Sequence, residues 1–461
     1  MVFSSAVFLF LFLPVLLILY YNPLMKKRGY RNILLLLASI GFYAWGEPAF
    51  IFVMLFSVVM NWGFGLLIGR KGVFQKGFMV LGVCYNVGLI FVFKYLTFCL
   101  TSLRSLFGEG IQVVEIALPI GISFFTFQML SYLLDVYFGK ARPQKNLFTV
   151  ALYIMMFPQL VAGPIVRYET VASELKDRQE TWEQFCQGIM RFVIGLSKKM
   201  LLANYIGLLA DDIFNGGANY GAAIAWLGAI AYTLQIYFDF SGYSDMAIGL
   251  GLMFGFHFEE NFNYPYMASS ITDFWRRWHM SLSTWFRDYV YIPLGGNRVG
   301  KGRLVFNLFV VWGLTGIWHG ANWTFLAWGL FYFVLLTAEK FIPFVPKMKW
   351  FSHVYAMFLV ILGWVLFRCE SIGAAAAYVR GMFNFSNIAA YGRLLLYYLD
   401  NSKWVLLAAV IAAFPIVPSL SKRLPAEVRE AGKGIGLTVL LLICLLVMMK
   451  DSYNPFIYFN F

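Results

Sequence analysis

The chain has 461 residues, 61% of them hydrophobic and only 13% charged, with a mean hydropathy of +0.71. Soluble globular proteins carry about 45–50% apolar and about 25% charged residues, so a soluble protein is excluded and an integral membrane protein is indicated. The formal charge of +13 does not point to nucleic acid here: the Lys and Arg residues cluster in short loops between apolar runs, the pattern that sets membrane topology and that also meets lipid headgroups or an anionic cytosolic substrate.

In chain order, apolar segments fall near 5–21, 32–46, 49–69, 77–100, 116–138, 147–166, 186–209, 222–240, 243–257, 305–319, 322–341, 351–367, 404–419 and 434–449. A crossing needs about 20 residues. Several segments are short or broken by Gly or Pro, so the sequence predicts roughly eleven to thirteen crossings. The first segment lacks the basic n-region and small-residue cleavage site of a signal peptide and reads as a transmembrane helix. Lys26, Lys27, Arg28 and Arg31 follow the first span; Arg70, Lys71 and Lys76 the third; Lys140, Arg142 and Lys145 the fifth. Basic loops stay in the cytosol, which places the N-terminus outside.

Cys84, Cys99, Cys186, Cys369 and Cys444 are scattered, with no CxxC pair; neither a disulfide framework nor a thiolate metal site is expected. The polar stretch 167–185 reads as a surface helix of mixed charge. No internal repeat is visible, so the inverted-repeat logic of transporters gains no support. Asp239, Tyr243 and Asp245 lie in YFDFSGYSDMAIG. Acids there serve either as a proton relay or orienting partner for a histidine, or as helix caps where the backbone breaks at Gly242; the second reading is slightly favoured.

The segment 257–304 is the most unusual. Trp278, Leu282, Trp285 and Tyr289 fall at i, i+4, i+7 and i+11, one face of an amphipathic helix lying in the membrane interface. Between 275 and 303 the basic residues are Arg276, Arg277, Arg287, Arg298, Lys301 and Arg303, against one acid, Asp288. These charges set topology, offer a landing surface for an anionic donor, or do both. The chain has four histidines: His257, His279, His319 and His353. Ionisable groups inside a membrane are costly and tend to mark function. His319 lies in GIWHGANWTFLAWG, where Gly316 and Gly320 share a helix face and permit close helix approach. It is either a structural histidine between helices or a catalytic one. His257 and His353 read as structural. No HxxxH spacing occurs, which argues against zinc.

WRRWHMSLSTWFRDYVYIPLGGN followed by GIWHGANWTFLAWG resembles the signature of the membrane-bound O-acyltransferase family, most nearly its bacterial alginate O-acetylation type. MVFSS, FYAWGEP, LPIGISFFTFQMLSYLLDVY, FPQLVAGPIVRY, ENFNYPY and YNPFIYFNF agree with it. The resemblance spans nearly the whole chain. It implies one integral-membrane domain over 1–461, a ring of helices around a thin waist with funnels on both sides, with a donor-side segment at 257–304 and a catalytic-histidine segment at 305–341. It implies catalytic roles for His319 and His279, donor binding at Trp275, Arg276, Arg277 and Trp278, and a bacterial cytoplasmic-membrane location. No cofactor is held; acetyl-CoA or another acyl thioester, free or on a carrier, is the donor substrate. The acceptor is a cell-envelope polysaccharide, reached through an extracytoplasmic SGNH-type partner. Asn322 and Asp239 are candidates for an oxyanion or orienting role, as is an indole N–H. A neutral imidazole, with an ordinary pKa near 6.5, suits a general base. D-alanyl transfer to teichoic acid is the near alternative. A transporter without acyl chemistry would need a polar pathway, and Asp135, Asp239 and Asp245 form no evident chain.

Overall fold

A computed structural model describes residues 1–216, 220–342, 349–386, 391–450 and 457, and every regular element among them is helical. The helices that matter below are α1 (Phe8–Tyr20), α2 (Arg28–Gly46), α3 (Phe50–Gly69), α4 (Gln75–Phe107), α5 (Ile122–Tyr137), α6 (Leu147–Met155), α7 (Trp182–Asn215) and α8 (Ala222–Met253). They continue with α9 (Ile271–Arg277), α10 (Met280–Phe286), α11 (Lys301–His319), α12 (Trp323–Phe341), α13 (Lys349–Arg368), α14 (Ile372–Met382), α15 (Gly392–Ala412) and α16 (Ala426–Lys450).

Eight of the described helices are long and apolar enough to cross a membrane, namely α3, α4, α7, α8, α12, α13, α15 and α16. The chain is an all-α, polytopic membrane protein. Two stretches of the expected pattern take another form. The segments expected at 222–240 and 243–257 are one 32-residue helix, α8. The segment at 147–166 holds a 9-residue helix, α6, and a separate 4-residue helical turn at Phe157–Leu160. Burial grades these helices: 78% of the apolar window of α8 is covered by protein against 6% of that of α16, so α8 is core and α16 is largely uncovered by the described residues.

The chain divides into two compact units, Met1–Phe192 with Ser244–Glu259, and Val193–Tyr243 with Glu260–Phe461. In the first unit the stretch 167–185 is not the expected surface helix. It opens with one helical turn at Tyr168–Val171, runs as a strap of turns to the start of α7 at Trp182, and is held by a buried ion cluster. Glu180 accepts from the Tyr20 hydroxyl at 2.6 Å and from Arg31 at 2.8 Å, and also pairs with Arg28. Arg178, fully enclosed, donates from Nε to the Phe254 carbonyl at 2.9 Å. Arg28 and Arg31, expected as topology charges, therefore also anchor the strap. His257 takes the structural role expected of it, bonding Glu174 through Nδ1 at 2.8 Å.

In the second unit α8 runs unbroken through Gly242, so no backbone break exists for the nearby acids to satisfy. A Cβ on Gly242 would lie 2.8 Å from the Gly195 carbonyl; the glycine lets the two backbones touch. Asp239 pairs with Lys199 at 2.6 Å and accepts from the Ile457 amide at 2.8 Å. Asp245, in the first unit, pairs with Arg191 at 2.6 Å. Both acids are buried and neutralised by a cation, the usual condition for charge in an apolar interior.

Candidate active site

The two segments that carry His279 and His319 both lie in the second unit. Helix α9 starts where Ser270 accepts the Asp273 amide at 2.9 Å. Glu339, from α12, accepts the Ile271 and Thr272 amides at 2.7 and 2.8 Å and the Thr272 hydroxyl at 2.7 Å. A carboxylate at a helix N-terminus satisfies amides that have no partner within the helix.

Helix α9 then stops. His279 adopts φ +45°, a left-handed conformation, and α10 begins at Met280. Trp278, Leu282, Trp285 and Tyr289 therefore do not line one continuous helix, and all four are buried rather than laid on the membrane surface. Asn261 holds this bend. Its backbone carbonyl accepts the Met280 amide at 3.0 Å. Its side-chain oxygen accepts the Ser281 amide at 3.3 Å and the Ser281 hydroxyl at 3.0 Å, and stands 3.1 Å from Nδ1 of His279.

His319 is the last residue of α11. Gly320 is already extended, at φ −174°, so it does not share a helix face with Gly316. Gly316 faces Gly329 instead: a Cβ on Gly316 would lie 2.5 Å from the Phe325 carbonyl, and one on Gly329 would lie 2.4 Å from the Trp312 carbonyl. Helices α11 and α12 thus touch backbone to backbone. Asn322 starts α12, accepting the Thr324 amide at 3.1 Å and donating to the Glu370 carbonyl at 2.9 Å.

The tight hairpin folds His319 into an aromatic cage. Its ring centre lies 5.0 Å from Trp318, 5.0 Å from Trp328, 5.3 Å from Phe367 and 6.5 Å from His279. His279 meets Phe240 edge-on at 4.7 Å and Trp318 at 5.8 Å. Both histidines are almost fully buried. Next to the cage, Trp275, Trp312, Trp328 and Tyr332 pack into a box with Trp275 4.7 Å from Trp312 and 4.9 Å from Tyr332. The Nε1 of Trp275, Nε1 of Trp328, the hydroxyl of Tyr332 and Nε2 of His279 are buried, and no hydrogen-bond partner serves them among the described residues. Burying such a group unpaired costs about 1–3 kcal/mol, so several at one place mark a site built for something other than packing. Burial pushes the His279 imidazole down to about 3, because a low-dielectric surround disfavours the cation. This ring lies outside the eight spans and stays neutral across physiological pH.

The other expected site residues separate. Trp275 lies in the box beside the cage; Trp278 is a buried core aromatic, tilted against Trp364 at 4.8 Å. Arg277 is tied to Asp273 at 2.9 Å. Arg276 is exposed and engaged by no ion pair among the described residues. Asn322 is committed to a helix cap and a backbone carbonyl, and Asp239 to Lys199. His353, read as structural, bonds the Ala268 carbonyl at 3.0 Å. The YNPFIYFNF stretch lies outside the described residues apart from Ile457. Asn261 is a site residue that the sequence does not reveal, although it sits in the ENFNYPY motif. Its partner is 18 residues away in sequence, and no spacing rule joins them.

The sequence pattern of the membrane-bound O-acyltransferase family matches residues 138–376, which include both histidines. The chain is 40% identical to a probable alginate O-acetylase AlgI of Pseudomonas putida over 100% of both chains. It is 34% identical to a peptidoglycan O-acetyltransferase of Helicobacter pylori over 84% of this chain and 81% of that one. It is 31% identical to a teichoic acid D-alanyltransferase of Bacillus subtilis over 54% of this chain and 66% of that one.

Proposed function

The chain belongs to the membrane-bound O-acyltransferase family and is a membrane O-acyltransferase; on that premise we propose that it carries acetyl groups from cytosolic acetyl-CoA across the bacterial cytoplasmic membrane to a hydroxyl of a cell-envelope polysaccharide. The observation that carries this reading is the pair of buried histidines, 6.5 Å apart, inside an aromatic cage with unpartnered donors. Hydrogen bonds made in so buried a site are stronger than in water.

In the proposed reaction His319 takes the proton of an acceptor hydroxyl as its oxygen attacks the thioester carbonyl carbon. The C–S bond breaks, and the proton passes from the imidazolium to the departing thiolate. General-base help of this kind is worth about 10²–10⁴ in rate. Charge develops on the carbonyl oxygen, and the Trp328 N–H, on a ring 5.0 Å from His319, suits it better than Asn322, whose amide is engaged. Arg276, exposed and basic, suits the phosphates of the donor. No bound cofactor is required. An extracytoplasmic SGNH-type protein completes delivery to sugar, and the N-terminus faces outside.

Acetyl is favoured over D-alanyl because the acetyl-transferring relatives cover 100% and 84% of this chain against 54% for the D-alanyl one. Purified protein in liposomes loaded with radiolabelled acetyl-CoA tests the reading: label should leave CoA at a rate that collapses in His319→Gln. Turnover that ignores the histidine, or acceptance of only a carrier-bound aminoacyl group, would overturn it.

A further inference from the structure

The identity of the atom facing His279 can be deduced from its other partners. The Asn261 side-chain atom that stands 3.1 Å from Nδ1 also receives the backbone amide of Ser281 at 3.3 Å. A backbone N–H can only donate, so that atom is the amide oxygen and not the nitrogen. An oxygen can only accept, so Nδ1 of His279 carries the hydrogen. In a neutral imidazole the other nitrogen then holds the lone pair. That nitrogen, Nε2, is the one that is buried with no partner among the described residues.

From this we infer that Asn261 is a positioning residue: it locks His279 in the Nδ1–H form and fixes Nε2 as a hydrogen-bond acceptor for a substrate N–H or O–H. The inference rests on the acyl-transfer reading above. The geometry is over-determined, since the same Asn261 also receives the Met280 amide and the Ser281 hydroxyl and so pins the left-handed backbone at His279 itself. Without the Asn261 oxygen the ring would be free to exchange tautomers, and the form with Nε2–H would present a donor where the site needs an acceptor. The substrate hydrogen has two sources: the amide N–H near the sulfur of a pantetheine thioester, or the hydroxyl of the acceptor.

Asn261→Asp and Asn261→Ala separate this role from a structural one. Both keep the backbone carbonyl contact, and Asp keeps an oxygen for Nδ1–H while adding a charge that favours imidazolium. Asn261→Ala should lower kcat/KM by about 10–100-fold, the scale at which supporting ligand partners act. Asn261→Asp should recover much of that loss, with the acid limb of its pH–rate profile moved to higher pH. Gly313→Ala, whose added Cβ meets nothing within 4 Å, should leave the profile unchanged and serves as the control. Rates with N-acetylcysteamine thioacetate and with S-butyl thioacetate identify the source: a preference for the first that vanishes in Asn261→Ala assigns the thioester amide, and equal losses on both assign the acceptor hydroxyl. An Asn261→Ala enzyme with wild-type kcat/KM, or an active Asn261→Asp enzyme with an unmoved profile, would overturn the inference while His279→Ala and His319→Gln are inactive. Full turnover in both histidine variants would instead sink the acyl-transfer reading.

Discussion

His279 and His319 stand with ring centres 6.5 Å apart, and the Trp318 ring lies 5.8 Å from the first and 5.0 Å from the second. Hydrogen bonds need heavy atoms about 2.7–3.2 Å apart, so the two rings are not arranged to bond one another. They are close enough for one substrate group to lie between them.

His319→Gln should cost about 10²–10⁴ in transfer rate while leaving membrane insertion and yield intact, because glutamine nearly fills the volume between Trp328 and Phe367. Labelled-acetate turnover by the purified variant measures this. A rate within a few-fold of wild type contradicts the general-base role.

Arg276 and Arg277 should behave differently although they are adjacent. Arg276 is exposed with no ion pair among the described residues, whereas Arg277 is bound to Asp273. Arg276→Ala should raise the KM for acetyl-CoA several-fold with kcat preserved and with a weaker response to salt. Arg277→Ala should act mainly on stability, by roughly 0.3–0.5 kcal/mol as for an i,i+4 helix pair. Steady-state kinetics across ionic strength distinguish the two.

Trp328→Phe removes a buried N–H that has no partner among the described residues. Loss of an oxyanion donor costs about 10²–10³ in kcat. The same change relieves the burial cost of an unpaired group, about 1–3 kcal/mol, which offsets the smaller ring. The expected signature is a variant with low kcat and undiminished melting temperature in detergent. A stable variant with normal kcat would remove Trp328 from the reaction.

Gly329→Ala should damage the site at a distance. Its Cβ would stand 2.4 Å from the Trp312 carbonyl, so α11 and α12 must separate and carry His319 with them. Activity and thermal stability should fall together. Gly313→Ala, which meets nothing within 4 Å, is the matched control.

Glu180 predicts the pH response of the first unit. Burial would raise its carboxyl, but the hydrogen bonds from Arg28 and Tyr20 and the charges of Arg28 and Arg31 outweigh that and hold it below its ordinary 4.5. A depressed folded-state pKa contributes stability above the unfolded value and loses it as pH falls through the folded one. Melting measured downward from neutrality should stay flat until near 4.5 and then decline. Glu180→Gln should remove that acid step and cost about 3–5 kcal/mol, since it strands buried cations. An unchanged acid step in Glu180→Gln would contradict this.

The sequence by itself determined the environment and the family. A composition so apolar can be solvated only by a bilayer, and membrane spans must be helical because every backbone polar group has to be satisfied within the segment. The motifs around His279 and His319 were legible as strings of residues. Periodicity misread the first of them, since Trp278, Leu282, Trp285 and Tyr289 keep helical spacing across a bend that His279 makes in the left-handed region. That bend is stabilised by Asn261, which is remote in sequence, and no local propensity encodes it. The partners of the buried charges were equally hidden: Asp239 meets Lys199 and Asp245 meets Arg191 because α7 and α8 approach closely enough at their glycines for long side chains to reach across. The tertiary structure alone decided which nitrogen of His279 is open, because a tautomer is set by the atom opposite it, and only folding brings that atom within hydrogen-bond range.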